Sequence, residues 1–232
     1  MKVRDRLRRW HIWLGWIVGA PLLLWTATGL FMTSFPIENV RGEHLVGQAP
    51  PLLLASLPVP PAIGGRLLAS LSLEARSGGA RWIVRYQDGS ARLADPASGR
   101  LLPPLRAADA RVIVEARYKG NARIIAVERT SSKSPPLELR REVPAWRVVF
   151  DDGARIYVHA ETGEILARRT TLWRVYDFMW GLHILDPGGR EDTNNGWLFG
   201  FALVSMVSLL IALVLLPMTL RRRRPASVAD RQ

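Results

Sequence analysis

The segment AWRVVFDDGARIYVHAETGEIL, residues 145–166, decides the fold of the central part of the chain, because the earlier segment RWIVRYQDGSARLADPASGRLL, residues 81–102, has the same pattern. Four residues recur 64 positions apart without a gap: Trp82 and Trp146, Asp88 and Asp152, Gly89 and Gly153, Gly99 and Gly163. In each copy an alternating run enters an Asp-Gly turn, which is typical of a β-hairpin, and a second polar turn precedes a third short strand. This internal repeat predicts two similar antiparallel sheets.

A helix is expected before each copy of the repeat. Apolar residues recur at four-residue spacing within residues 107–118, and a less regular pattern predicts another helix in residues 63–75. Residues 123–128 have the composition of a strand, and residues 131–136 that of a loop.

We therefore expect an α+β domain over residues 36–171 with two units, about residues 60–104 and 105–170. Each unit would be a helix packed on a small antiparallel sheet. Trp82 and Trp146 would occupy equivalent positions and cover the helix of their own unit.

Two long apolar runs flank this domain. Residues 12–35 and 196–220 contain no charged residue over 24 and 25 positions, about 36 Å of helix each. Each run is long enough to cross a hydrocarbon core of about 30 Å. Pro21 predicts a kink, which a membrane helix tolerates. We expect an uncleaved anchor rather than a signal peptide, because the first run exceeds a signal core and no small-residue cleavage site follows it.

Basic residues concentrate at the two ends of the chain. Residues 1–11 and 221–232 together contain ten lysines and arginines and two aspartates, a net charge of +8 out of the total of +12. Cations beside span ends predict cytoplasmic termini and contacts with anionic lipid. The predicted location is therefore a bacterial inner membrane with a periplasmic domain, and nucleic acid is not an expected partner. With no cysteine in the chain, disulfides, cysteine-ligated clusters and thiol catalysis are excluded.

Between the domain and the second span lie residues 172–195, for which we expect an interfacial helix followed by a polar turn. At helical spacing one face of this helix is predominantly apolar and a second face is polar or small. The apolar face contains Leu172, Val175, Tyr176, Met179, Leu182 and His183, and the second face contains Arg174, Asp177 and Gly181.

The second repeat resembles the PepSY domain, which is marked by a hairpin followed by a D-x-x-TGE turn. His159 stands where many members have aspartate, whereas the first repeat keeps Asp95. RRWHIWLGWIVGAPLLLWTATGLFMTSFPIENVRGEHL (residues 8–45) and YDFMWGLHILD (residues 176–186) are similar to the two ends of PepSY-associated transmembrane proteins. The resemblance covers nearly the whole chain.

The resemblance implies two different functions. Some larger relatives, with about four spans, are similar to b-type haem proteins that reduce ferric siderophores at the periplasmic side. Other PepSY domains inhibit or chaperone peptidases. This chain has half the spans of the reductase type. The two hypotheses are therefore an inner-membrane electron-transfer protein for ferric-siderophore reduction and iron uptake, and a non-enzymatic membrane-tethered module that binds or regulates another envelope protein.

Histidine is the best candidate axial haem ligand, because the chain lacks cysteine and its methionines are dispersed. His11 lies at the start of the first span, where Gly15 and Gly19 would leave room for a flat macrocycle. The alternative is that His11 is only a polar residue of the membrane interface. His183 is a haem ligand or a packing histidine. His44 is a second outer ligand or a loop residue near Glu43, and His159 is expected at the surface. No catalytic residue, phosphate-binding loop or hydrolase motif is identified.

Geometry limits how these histidines pair. Two axial nitrogens on one iron lie about 4 Å apart, whereas His11 and His183 are expected on opposite membrane faces, about 30 Å apart. They cannot share one haem within a chain. Each would pair with another histidine, most simply its own copy in a homodimer or a residue of a partner membrane subunit, or no bis-histidine haem exists.

Overall fold

The computed structural model describes residues 2–49, 51–54, 57–76 and 78–220. These residues separate into two compact units. The terminal unit combines the chain up to Ser34 with the chain from Tyr176 onward, and the central unit is Phe35–Val175. The predicted basic tail, residues 221–232, lies outside the described residues.

The helices and strands follow one another in a simple order. They are α1 (Lys2–Thr33), α2 (Ile37–Val40), a 3-10 turn (Glu43–Leu45), β1 (Leu68–Arg76), β2 (Gly79–Tyr86), β3 (Ala91–Ala94), α3 (Ala107–Glu115), β4 (Ile124–Thr130), β5 (Ala145–Phe150), β6 (Arg155–His159), β7 (Ile165–Arg169), α4 (Thr171–His183) and α5 (Gly196–Leu220).

Helices α1 and α5 of the terminal unit are long and apolar enough to cross a membrane, and they contact each other. Helix α1 begins at Lys2, well before the predicted start of the span at residue 12, because arginine and lysine are good helix formers. It continues through Pro21 and ends at Thr33, before Pro36 restricts the preceding backbone. Helix α5 has the predicted bounds, and the Oδ1 of Asn195 caps it by accepting the N–H of Leu198 at 2.9 Å.

The central unit contains the two predicted antiparallel sheets, with strand orders β1-β2-β3 and β4-β5-β6-β7. The hairpins β2–β3 and β5–β6 turn at the two Asp-Gly pairs. Equivalent glycines of the two repeats also have nearly the same backbone φ angle. Gly89 and Gly153 have φ values of 82° and 81°, and Gly99 and Gly163 both have a φ of 66°. These left-handed conformations explain why glycine recurs at both turns.

The first repeat differs from the prediction in two ways. Residues 63–75 do not form a helix, because β1 occupies most of this stretch and pairs with β2. Leu71, Leu73 and Ala75 alternate with polar residues, a period of two that favours a strand over a helix. The third strand of this copy is reduced to a single bridge between Ala94 and Leu101.

The second repeat is close to the prediction. Helix α3 ends at Glu115 rather than residue 118, because Tyr118 forms a bridge to Val46. Strand β4 lies at the predicted site, and residues 131–136 form neither helix nor strand. The core of this repeat joins α3 to the sheet through Ala110, Val114, Val148, Phe150 and Ile156.

Trp82 and Trp146 occupy equivalent strand positions, opposite Ala94 and Val158. The indole of Trp82 donates a hydrogen bond to the carbonyl of Val59 at 2.8 Å, and that of Trp146 donates to the carbonyl of Leu105 at 3.0 Å. Each indole is therefore hydrogen-bonded to the backbone of the segment that precedes its own repeat. Only Trp146 packs on a core that contains a helix, because the first sheet has none.

Candidate functional site

The imidazole of His183 is held by α1. Its Nδ1 lies 3.1 Å from the carbonyl oxygen of Trp25 and 3.0 Å from the hydroxyl of Thr28. A carbonyl oxygen only accepts, so Nδ1 carries the proton in the bond to Trp25. Nε2, which has no hydrogen bond to any described residue, then has the lone pair. In this tautomer the lone pair of Nε2 can bind a metal ion, and metal-binding histidines commonly donate their other ring N–H to a carbonyl oxygen in the same way.

Aromatic rings and a glycine set the position of this imidazole. It stacks on Trp25 with ring centroids 4.6 Å apart and an interplanar angle of 19°, and Trp180 lies parallel at 6.5 Å. A Cβ at Gly29 would lie 3.3 Å from Cε1 of His183, so glycine leaves the space that the ring fills. Thr28 is 2% exposed. The side chain of His183 is therefore fixed in orientation before any ligand binds.

The turn after α4 is hydrogen-bonded to this helix, which contains His183. The buried carboxylate of Asp177 accepts a hydrogen bond from Arg190 at 2.9 Å. Gly181 permits this approach, because a Cβ there would lie 2.7 Å from Cγ of Arg190. The carboxylate of Asp186 accepts three backbone N–H groups, from residues 189, 191 and 192, which lower its pKa.

This arrangement decides which face of α4 packs against protein. The face with Asp177 and Gly181 is buried, whereas Val175 and Phe178 are 41% and 44% exposed. The physical reason is the ion pair with Arg190, which brings the polar face of the helix against the turn. An aspartate and a glycine four residues apart, on one face of the helix, were the signal in the sequence for such a contact.

His11 has a different environment on α1. Its Nδ1 is buried and has no hydrogen-bond partner among the described residues, a costly condition for an imidazole nitrogen. A Cβ at Gly15 or at Gly19 would meet no atom within 4 Å, so the helix surface beside His11 is open. This surface leaves room for the predicted flat ligand, and ligation by His11 stays a prediction.

His11 and His183 are far apart in this unit. His183 contacts Thr28, seventeen residues after His11 on the same helix, which corresponds to about 26 Å along the axis. The prediction that they cannot share an iron within one chain therefore follows from the helix itself.

The other two histidines belong to the central unit. His44 is exposed in the 3-10 turn. His159 ends β6 and is half-buried, not a simple surface residue. Its Nδ1 accepts the backbone N–H of Glu161 at 3.1 Å, and burial is the main cause that lowers its pKa.

Comparison of the chain with models of protein families, with curated proteins and with solved structures finds no match in any of the three. The residues and contacts of the chain itself therefore carry the functional argument.

Proposed function

We propose that this chain is an inner-membrane PepSY-type electron-transfer protein that binds b-type haem and supports periplasmic ferric-siderophore reduction. The observation that carries the proposal is the imidazole of His183, whose Nδ1 is committed to Trp25 and Thr28 while Nε2 has no hydrogen bond to a described residue. Bound haem supplies one-electron chemistry at its iron. His183 and His11 would supply axial nitrogens, and Trp25 and Trp180 would flank the ring of His183.

The two long apolar helices support the membrane location. α1 and α5 have mean hydropathies of 1.6 and 2.7 over their apolar segments. Their outer faces expose large apolar side chains, such as Trp16 at 80%, Leu23 at 72% and Phe199 at 72%. Exposure of this kind is unfavourable in water and favourable in lipid or against another helix. The basic termini orient both ends toward the cytoplasm.

A homodimer is the simplest assembly that completes the site. Two helices from each copy would form a four-helix bundle, and each iron would receive the same histidine from both copies. Because His11 and His183 are far apart along α1, such a dimer would have one haem near each membrane face. A partner membrane subunit with its own histidines is the other way to supply the missing ligands.

The test is the absorption spectrum of the full chain purified in mild detergent. We expect a Soret band and visible bands that sharpen on dithionite reduction. His11→Ala and His183→Ala should each remove part of the signal, because their irons are separate, whereas the control His159→Ala should leave the spectrum unchanged. His44→Ala divides the models: loss of the His183 component indicates an outer pair of these two residues, and no loss indicates a symmetric dimer.

A colourless protein that also fails to take up added haem would overturn this proposal. The membrane-tethered module that binds another envelope protein would then become the preferred function.

A further inference from the structure

A cavity of about 360 Å³ lies between the two sheets of the central unit. Its wall combines the end of β2 with the loop before β5 and the turn that joins β6 to β7. The polar residues in the wall are Arg85, Tyr86, Arg141, His159, Thr162 and Glu164. Neither repeat contains this cavity alone, because each contributes part of the wall. The haem proposal makes no use of it.

The two arginines of the wall share one carboxylate. The guanidinium of Arg85 lies 3.5 Å from Glu164, and that of Arg141 lies 3.9 Å from it. Both distances are long for a charge-assisted hydrogen bond, which is typically about 2.7–2.9 Å. Neither guanidinium has another hydrogen bond to a described residue. Most of their ten N–H groups are thus available to an acceptor.

Two hydroxyls in the wall are buried without a partner. Tyr86 is 3% exposed and Thr162 is 1% exposed, and neither hydroxyl has a hydrogen bond to a described residue. Both oxygens are enclosed by protein atoms, so neither faces the cavity, and the donors available to a ligand come from other residues of the wall.

His159 adds a further donor. Its Nδ1 accepts the N–H of Glu161, so the proton of the neutral ring is on Nε2. Burial favours this neutral form by lowering the pKa. The wall is therefore rich in donors and contains one carboxylate, Glu164, that satisfies few of them.

We propose that this cavity binds a small organic polycarboxylate, whose oxygens accept hydrogen bonds from the guanidinium groups of Arg85 and Arg141 and from Nε2 of His159. Planar guanidinium groups match carboxylates bidentately, and Glu164 already occupies part of this site as an internal competitor. At about 30 Å³ per water-sized atom the cavity has room for roughly a dozen non-hydrogen atoms. A molecule of the size of succinate or citrate fits this volume.

The first experiment is isothermal titration of the full chain in detergent with citrate, succinate, inorganic phosphate and glucose in turn. We expect saturable binding of citrate or succinate, weaker binding of phosphate and no binding of glucose. Phosphate binding tighter than that of both carboxylates overturns the ligand class. No binding of either carboxylate overturns the site.

Variants distinguish a binding role from a structural one. Arg85→Gln and Arg141→Gln should each weaken carboxylate binding about tenfold or more, the usual effect of losing a charged hydrogen bond. Glu164→Gln removes the internal competitor and should strengthen binding several-fold.

The matched control is Arg111→Gln, on the exposed face of α3, which should leave the affinity unchanged. Equal affinities of the wild type, Arg85→Gln and Arg141→Gln would overturn the proposal. A fall in affinity for Arg111→Gln as large as that for Arg85→Gln would also overturn it, because the effect would then report only net charge.

Discussion

His183 and His159 show how one residue type acquires opposite chemistry. In both imidazoles Nδ1 is hydrogen-bonded, but in His183 it donates to the carbonyl of Trp25, and in His159 it accepts from the N–H of Glu161. The remaining nitrogen therefore presents a lone pair in the first ring and a proton in the second. A metal requires the lone pair, and an anion requires the proton. These two histidines consequently suit different ligands.

The lowered pKa of His159 predicts a pH dependence of stability. A histidine in the unfolded chain titrates near pH 6.5, so below that pH the unfolded state binds a proton before the folded state does. The free energy of unfolding should therefore have its full His159 contribution above about pH 6.5 and lose it as the pH falls toward the folded pKa. His159→Asn should flatten this dependence, measured as the thermal midpoint of the full chain between pH 7.5 and 5.5. The control for loss of a histidine is His44→Asn; an unchanged slope in His159→Asn would contradict the prediction.

At the scale of the element, the two glycine turns of the first repeat differ in their surroundings. A Cβ at Gly89 would meet no atom within 4 Å, whereas a Cβ at Gly99 would lie 2.5 Å from the carbonyl oxygen of Pro60. Gly99 also accepts the N–H of Ala62 through its own carbonyl. The second turn of the first repeat is therefore tied to the segment that precedes β1, and the first turn is open.

This difference predicts unequal costs for two matched substitutions. Gly89→Ala should cost about 1–2 kcal/mol, the usual price of a left-handed alanine. Gly99→Ala should cost clearly more, because the carbonyl of Pro60 must also move. Thermal midpoints of the two full-length variants provide the measurement. Equal midpoints would show that the contact between Gly99 and Pro60 does not exist in solution.

The elements that differ from expectation do so for reasons of pairing. Residues 63–75 were expected to form a helix on an irregular helical pattern, and pairing of β1 with β2 decides in favour of the strand. In helix α4 the partner of the buried Asp177 is Arg190, which lies in the turn thirteen residues later. The local sequence pattern of β1 or of α4 contains no information about the residues with which each element pairs.

At the scale of the whole molecule, the basic termini and two apolar helices predict a topology. Reporter fusions after Gln232 should report the cytoplasm, and fusions near Asn39 should report the periplasm. The lysines and arginines beside the span ends favour the cytoplasmic side and so set this orientation. The fusions should therefore be made to the full chain, which contains both basic ends. A periplasmic C-terminus would overturn the orientation and the assignment of His183 to the outer face.

The sequence alone determined the features that depend on neighbours along the chain. Two uncharged runs predicted α1 and α5, and two Asp-Gly turns predicted the hairpins, because hydrophobic period and turn geometry are local properties. The candidate ligands His11 and His183 were also evident by type and position, although the sequence left their alternatives open.

Only the tertiary structure decided what those residues touch. The tautomer of His183 depends on Trp25 and Thr28, more than 150 residues away, and the donor-lined cavity joins Arg85 to Glu164 across the two repeats. Such contacts follow from how sheets and helices pack, which is a property of the folded chain and not of any window of sequence. Local pattern therefore predicted the elements, while long-range packing determined the chemistry of the sites they form.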